Sequence, residues 1–322
     1  MQAIRVAQSG GSEVLVAAEM PDPVAGPGEA VVEIAASGVN FIDVYQRSGL
    51  YPMSLPFIPG LEGAGVVTSL GDAPEGVAVG DRVAFTSIPS AYAEQVAVPV
   101  DSLVRVPDDV ELVTAGGVML QGLTAHYLAH DTYSLEPGST CLIHAGAGGV
   151  GLLLIQVAKR LGATVFTTVG TAEKAELARA AGADHVIIYT ETDFADEVRA
   201  ILGDGRLDVV YDSVGADTFD RGLELLRPRG LMALFGQSSG VVPPFELRRL
   251  IGVGSLYVTR PSLGAYLADR QELLSRSDDL FAWIAAGELR VRIGATYPLA
   301  DARSAHDALE GRATTGKVVL IP

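Results

Sequence analysis

The chain combines two hydrophobic patterns. Up to about residue 121, short apolar runs at 30–36, 63–69 and 81–84 are separated by Gly/Pro clusters at 25–28 and 59–60 and by Pro89. β-favouring runs bounded by such residues predict the strands of a β-rich domain. From about residue 122 the pattern alternates. Apolar stretches at 141–145, 164–169, 185–189, 207–212 and 231–235 are interleaved with helical segments at 150–161, 172–181, 194–202 and 218–226, and a last strand is expected at 255–259. Strands alternating with helices imply right-handed βαβ crossovers and a parallel sheet covered on both faces. After about residue 260 the chain turns helix-rich, with a helix at 300–309 and a closing strand at 317–321. The expected fold class is α/β: a doubly wound parallel sheet over 122–259, inserted into a β-rich domain built from 1–121 and 260–322.

Charge and composition narrow the partners. Among 322 residues, 23 Lys+Arg face 39 Asp+Glu, a net charge of −16. That sign argues against a nucleic-acid backbone or an anionic membrane as main partner. The single cysteine, Cys141, excludes a disulfide framework and a thiolate cluster, and fits a reducing, cytoplasmic compartment. Residues 1–13 contain no apolar core for a secretory signal. The longest charge-free stretch, 137–158, holds His144 and five glycines, four of them bunched at 146–151, which suits a strand, a turn and a helix rather than a membrane span. Only three residues are lysine (Lys159, Lys174 and Lys317), so the position of each is informative.

The chemistry starts at Gly146-Ala147-Gly148-Gly149-Val150-Gly151, which follows a strand and opens a helix. G-x-G-x-x-G in that setting is the dinucleotide fingerprint of a Rossmann fold. Gly146 allows the tight turn, Gly148 a close approach to a pyrophosphate, and Gly151 the packing of helix on strand. An NAD site carries an acid at the tip of the second strand. Here that strand ends in Val169-Gly170-Thr171, and the next charged residues are Glu173 and Lys174. An acid-free tip with a nearby lysine favours NADP(H) over NAD(H); the alternative for Lys174 is a solvated helix residue.

Three further groups of residues carry a resemblance. The first domain contains Gly38-Val39-Asn40-Phe41-Ile42-Asp43, Pro59-Gly60-Leu61-Glu62-Gly63-Ala64-Gly65 and Gly80-Asp81-Arg82-Val83. With the glycine turn, these resemble the medium-chain dehydrogenase/reductase superfamily over nearly the whole chain. Residues 40–52, 209–215, 254–263 and 312–322, and the spacing from Gly151 to Gln156 and Lys159, are similar to its zeta-crystallin-like NADPH:quinone oxidoreductase branch. The resemblance implies a Rossmann domain inserted into a GroES-like catalytic domain, and NADPH-dependent reduction of quinones with cofactor and acceptor in the cleft between the domains. Two alternatives stay open: an NADPH-dependent enone, alkenal or enoyl-thioester reductase, and a non-catalytic NADPH-binding protein. Zinc alcohol dehydrogenases of the superfamily carry a cysteine where this chain has Asn40 and a histidine where it has Leu61. Neither replacement suits zinc, and no zinc is expected.

The resemblance also implies site residues. Asn40, Tyr45 and Tyr51 are the expected catalytic and acceptor-pocket residues, with Phe41, Ile42 and Asp43 beside the nicotinamide ribose. Asp43 could instead be a turn or cap residue, and the two tyrosines loop-packing aromatics. Thr124 and Tyr127 are expected to reach the cofactor, Gly148, Gly149 and Val150 to meet the pyrophosphate, and Gly170, Thr171 and Lys174 the 2′-phosphate, with Tyr189 flanking it. Ser213 and Val214, then Gly236, Gln237, Ser238 and Ser239, lie at strand ends where ligands bind in open α/β sheets. Leu256, Tyr257 and Val258 are assigned to the carboxamide, and Arg312 to a cofactor phosphate, with a surface arginine as its alternative. The strand at 255–259 would form a sheet edge that the family closes by pairing two subunits, so a homodimer is expected. His144 and Cys141 read as core residues, Asp278-Asp279 as the start of a helix, and 80–83 as a turn leading into a strand.

Overall fold

The computed structural model describes residues 1–72, 76–252 and 254–322. It divides into two compact units, Met1–Leu123 with Tyr266–Pro322, and Thr124–Ala265.

The second unit is a six-stranded, all-parallel sheet. Its order is His185–Ile188, Thr164–Val169, Thr140–Ile143, Leu207–Asp212, Leu226–Leu234 and Tyr257–Thr259. Chain order therefore runs outward in both directions from Thr140–Ile143, as in a doubly wound sheet. Cys141, Leu142 and Ile143 are fully enclosed, because a central parallel strand is covered on both faces. Leu142, Phe166, Val210 and Met232 meet Phe194, Val198 and Leu223 from the covering helices in one apolar cluster. The helix expected over 218–226 is shorter, Phe219–Leu223, because Leu226 pairs with Leu207 and belongs to the next strand.

The first unit holds a seven-stranded sheet around the long strand Glu29–Val39. That strand pairs antiparallel with Glu62–Leu70, Gln95–Pro99 and the final strand Lys317–Ile321. The last of these runs parallel to Ile293–Pro298. Val318 lies opposite Val39 and Gly63 opposite Ser37, so the register brings Lys317 and Glu62 together at Gly38. A Cβ at Gly38 would run into both side chains, so only glycine leaves room for the pair. Asp278 and Asp279 lie inside the helix Arg270–Ala285 and do not open it. Asp269, whose carboxylate accepts from the Gln271 amide at 2.7 Å, is the N-cap. Among the described residues, no helix is long and apolar enough to cross a membrane.

Candidate functional site

At the glycine turn, Thr140–Ile143 leads through Ala145, at φ 57°, into the helix Gly149–Arg160. No side chain caps the helix, and Gly148, Gly149 and Val150 are half-exposed, so the backbone at its positive end faces outward. Any side chain at Gly151 would collide with the Ala145 carbonyl and the Gly146 backbone, which sets how closely helix and strand pack. His144 lies beneath the turn, 1% exposed, with Nδ1 2.9 Å from the Thr168 hydroxyl; burial pulls its pKa down. Burial likewise raises the Cys141 thiol well above its usual range, so it is an unreactive core group.

At the next strand tip, Gly170 and Thr171 follow Val169, and the Thr171 side chain caps the helix Ala172–Ala180 by accepting from the Lys174 amide at 3.3 Å. Tyr189 follows the neighbouring strand, and its amide donates to the Val169 carbonyl at 3.0 Å. The nearest heavy atom to the open face of Gly170 is the Tyr189 hydroxyl, and Tyr189 stays exposed. Gly170, Thr171, Lys174 and Tyr189 thus form one patch. Its one acid, Glu173, bonds to its own amide and the Thr171 hydroxyl, which hold its pKa down.

The third part of the sheet end is tied by Asp212, a residue absent from the sequence-based set. This enclosed carboxylate accepts from the amides of Val214 at 2.7 Å and Gly215 at 3.0 Å and from the Thr218 hydroxyl. Ser239 binds the Val214 carbonyl through its amide at 2.9 Å and its hydroxyl at 2.8 Å, and the Ser238 amide reaches the Ser213 carbonyl. The Ser213–Val214 and 236–239 loops are therefore one rigid ridge, with Arg260 donating to the Gly236 carbonyl and to Gln237 Oε1. Leu256 is buried and its amide is taken by the Leu250 carbonyl, while Tyr257 and Val258 are exposed on the edge strand. Thr124 and Tyr127 are enclosed, Tyr127 to 1%. Arg312 sits exposed at φ 56° in the turn after the helix Ala302–Glu310 of the first unit.

In the first unit the helix Phe41–Ser48 presents an aromatic wall. The rings of Phe41 and Tyr45 lie 6.1 Å apart and those of Tyr45 and Tyr51 5.3 Å apart, and the Tyr51 amide donates to the Tyr45 carbonyl. Phe41, Ile42, Tyr45 and Tyr51 are all half-exposed. Asn40 is not: it is 3% exposed and its amide is fully engaged. Nδ2 donates to Glu62 Oε1 at 2.7 Å and, weakly, to the Gly38 carbonyl, while Oδ1 accepts from Lys317 at 2.8 Å and Gln121 at 3.1 Å. Asn40 thus braces the floor of the site and offers no free group. Lys317 also ion-pairs with Glu62, whose second oxygen accepts from the Leu120 amide. Burial draws the Lys317 ammonium down, against the pull of Glu62. Sequence reasoning missed Glu62 and Lys317. The rarity of lysine marked Lys317, but only strand register shows its partner.

Asp43 is fully enclosed. Its Oδ2 accepts from the Asn40 backbone N–H at 2.8 Å, capping the helix, and from the Tyr92 hydroxyl at 2.9 Å. Burial pushes its carboxyl up to about 7, with the Asn40 and Tyr92 donors opposing.

Comparison with known proteins places this geometry. Residues 26–108 match the alcohol dehydrogenase GroES-like domain and residues 149–278 the family described as zinc-binding dehydrogenase. The chain is 46% identical to Escherichia coli quinone oxidoreductase 1, over 97% of each protein. It is 42% identical to a Burkholderia 2-haloacrylate reductase, over 98% of this chain and 97% of the relative. A crystal structure of Escherichia coli quinone oxidoreductase complexed with NADPH superposes with a TM-score of 0.98 at 44% identity, covering 100% of both chains. The chain belongs to the quinone oxidoreductase family of the medium-chain dehydrogenase/reductase superfamily. Despite the family description, Asn40 and Leu61 are not zinc ligands, and among the described residues no group of three or more His, Cys, Asp or Glu could hold a metal ion.

The raised Asp43 carboxyl predicts a pH effect on stability. Between about pH 4, where the free carboxyl ionises, and about pH 7, the folded chain retains a proton that the unfolded chain has lost. Asp43 therefore favours folding at the acid end, and this contribution declines as pH rises, by at most about 1.4 kcal/mol per unit. Urea titrations across this window should show that slope in the wild type minus Asp43→Asn difference; a flat difference would refute it.

Proposed function

We propose that the protein is a cytoplasmic, metal-free, NADPH-dependent quinone reductase. The observation that carries this reading is the full-length likeness to a quinone oxidoreductase complexed with NADPH. Local chemistry supports it. The amides of Gly148, Gly149 and Val150 at the uncapped helix start suit a pyrophosphate. Gly170, Thr171 and Lys174 suit a 2′-phosphate, because residues 164–171 carry no acid to claim a ribose 2′-hydroxyl and Lys174 supplies a cation next to Glu173. Tyr189 would flank that phosphate, the Ser213–Val214 and 236–239 ridge and the Leu256–Val258 backbone would border the nicotinamide half, and Arg312 would answer a phosphate. Phe41 and Ile42 would line the ribose, with Asp43 acting behind them through the Asn40 backbone N–H that it holds.

The bound nicotinamide supplies the reducing electrons. A quinone is electrophilic without a Lewis acid, so this chain's task is to orient the ring and keep water away. Tyr45 and Tyr51 offer flat apolar faces for stacking and hydroxyls for a quinone oxygen. Asn40, locked between Glu62 and Lys317, fixes the floor beneath them. A second reading, reduction of an activated carbon–carbon double bond, is favoured by the 42% identity to 2-haloacrylate reductase. The same wall would serve a conjugated acid.

Steady-state rates with NADPH should be high for 1,4-benzoquinone and 9,10-phenanthrenequinone, low for 2-chloroacrylate and crotonyl thioesters, and unchanged by chelators. The reverse order would establish the second reading. For the cofactor, Lys174→Ala should raise the NADPH KM by roughly ten- to a hundredfold, the worth of a charged hydrogen bond. NADH should be nearly unaffected, and equal effects on both would remove the 2′-phosphate assignment. Finally, Tyr257 and Val258 are exposed on the unpaired edge of the parallel sheet. An apolar edge favours pairing with a second copy, so light scattering should give the mass of a homodimer; a monomer would refute this.

A further inference from the structure

Asp43 and Arg47 lie one turn apart on the helix Phe41–Ser48, and both face inward, 0% and 2% exposed. Two side chains from elsewhere join them. The Tyr92 hydroxyl donates to Asp43 Oδ2 and lies 3.1 Å from His306 Nε2, and Arg47 Nη1 lies 3.4 Å from His306 Nδ1. Arg47 Nη2 also donates to Glu310 at 2.9 Å, one turn beyond His306 on the helix Ala302–Glu310. The contacts thus form a closed loop, starting and ending on one helix and bridged by residues near positions 92 and 306.

The loop has a direction. A guanidinium only donates, so His306 Nδ1 accepts. Burial and the Arg47 charge draw the His306 pKa down to about 3, so the imidazole is neutral. Its one proton is then on Nε2 and points at the Tyr92 oxygen, which leaves the phenol proton for Asp43. Every donor in the sequence Arg47, His306, Tyr92, Asp43 points the same way.

The loop also has a consequence for the opposite face. Residues four apart share a helix face and residues two apart lie on nearly opposite ones. Gripping Asp43 and Arg47 from inside sets the rotation of the helix about its axis, and so the direction in which Phe41 and Tyr45 point. We propose that His306, as the Nε2–H tautomer, is a positioning residue for the aromatic wall, clamping Asp43 and Arg47 through Tyr92 so that Tyr45 meets the acceptor. This inference rests on the quinone-reductase reading above.

Glutamine at 306 can offer an oxygen to Arg47 and an N–H to Tyr92; methionine, of similar size, offers neither. At saturating NADPH, His306→Gln should keep the 1,4-benzoquinone KM within about threefold of wild type, and His306→Met should raise it roughly tenfold. The NADPH Kd, read from cofactor fluorescence, should stay unchanged in both. Tyr92→Phe should raise the quinone KM similarly, and its combination with His306→Met should add little, since both break one chain. ¹⁵N NMR of the wild type should place the His306 proton on Nε2, a readout that survives even if a variant fails to fold. Equal quinone KM values for the Gln and Met variants, or a proton on Nδ1, would overturn the proposal and leave the functional reading standing. A wild type that turns over no quinone would overturn both.

Discussion

The first unit depends on an ion pair closed off from water. Glu62 and Lys317 are 0% and 1% exposed, and charges so deeply buried are tolerated only when each is paired and its remaining hydrogen-bonding capacity is met. The partners that meet it are Asn40, the Val39 carbonyl and the Leu120 amide. Val39 and Asn40 also lead into the helix that carries the aromatic wall. The constraint therefore runs from charge burial to site geometry. An unanswered charge here would cost several kcal/mol, so the end of the long strand, the start of Glu62–Leu70 and the closing strand must stay in register.

The second unit reaches order at the carboxyl end of its sheet by different means. Its strand tips are joined by backbone-directed contacts: Thr171 on the Lys174 amide, Asp212 on the Val214 and Gly215 amides, and Ser239 on the Val214 carbonyl. Such bonds leave the surface presented to a ligand as glycine and peptide groups, which suits the close approach of phosphates and a nicotinamide ring. A functional surface built on a sheet end needs little side-chain chemistry of its own. The glycine turn, the acid-free tip and the serine ridge are three versions of one solution.

The candidate patches of the two units were legible to different degrees. Gly148, Gly149, Val150, Gly170, Thr171 and Tyr189 were legible as strand-end residues because each lies within a few residues of a strand whose periodicity announces it. The burial of Tyr127 was not legible, since spacing along a helix does not say which side of it will be enclosed. Asn40 was legible as a site residue but not as one whose amide is already spent. Tyr92 and His306 carried no signal, being separated by 214 residues and brought together only by packing, at the Tyr92 hydroxyl and edge to face.

Local pattern determined the fold class, because strand and helix periods, glycine turns and the absence of an acid at a strand tip are properties of neighbouring residues. It also determined that Leu61 cannot bind zinc and that Asn40 suits it poorly, which follows from ligand chemistry alone. Tertiary structure decided which buried charges meet. Glu62 and Lys317 are brought to Gly38 by antiparallel register, and Asp43 and Arg47 are joined through Tyr92 and His306 by packing between distant segments. The physical reason is that the cost of burying a polar group depends on what surrounds it in space, and no local window of sequence contains that information.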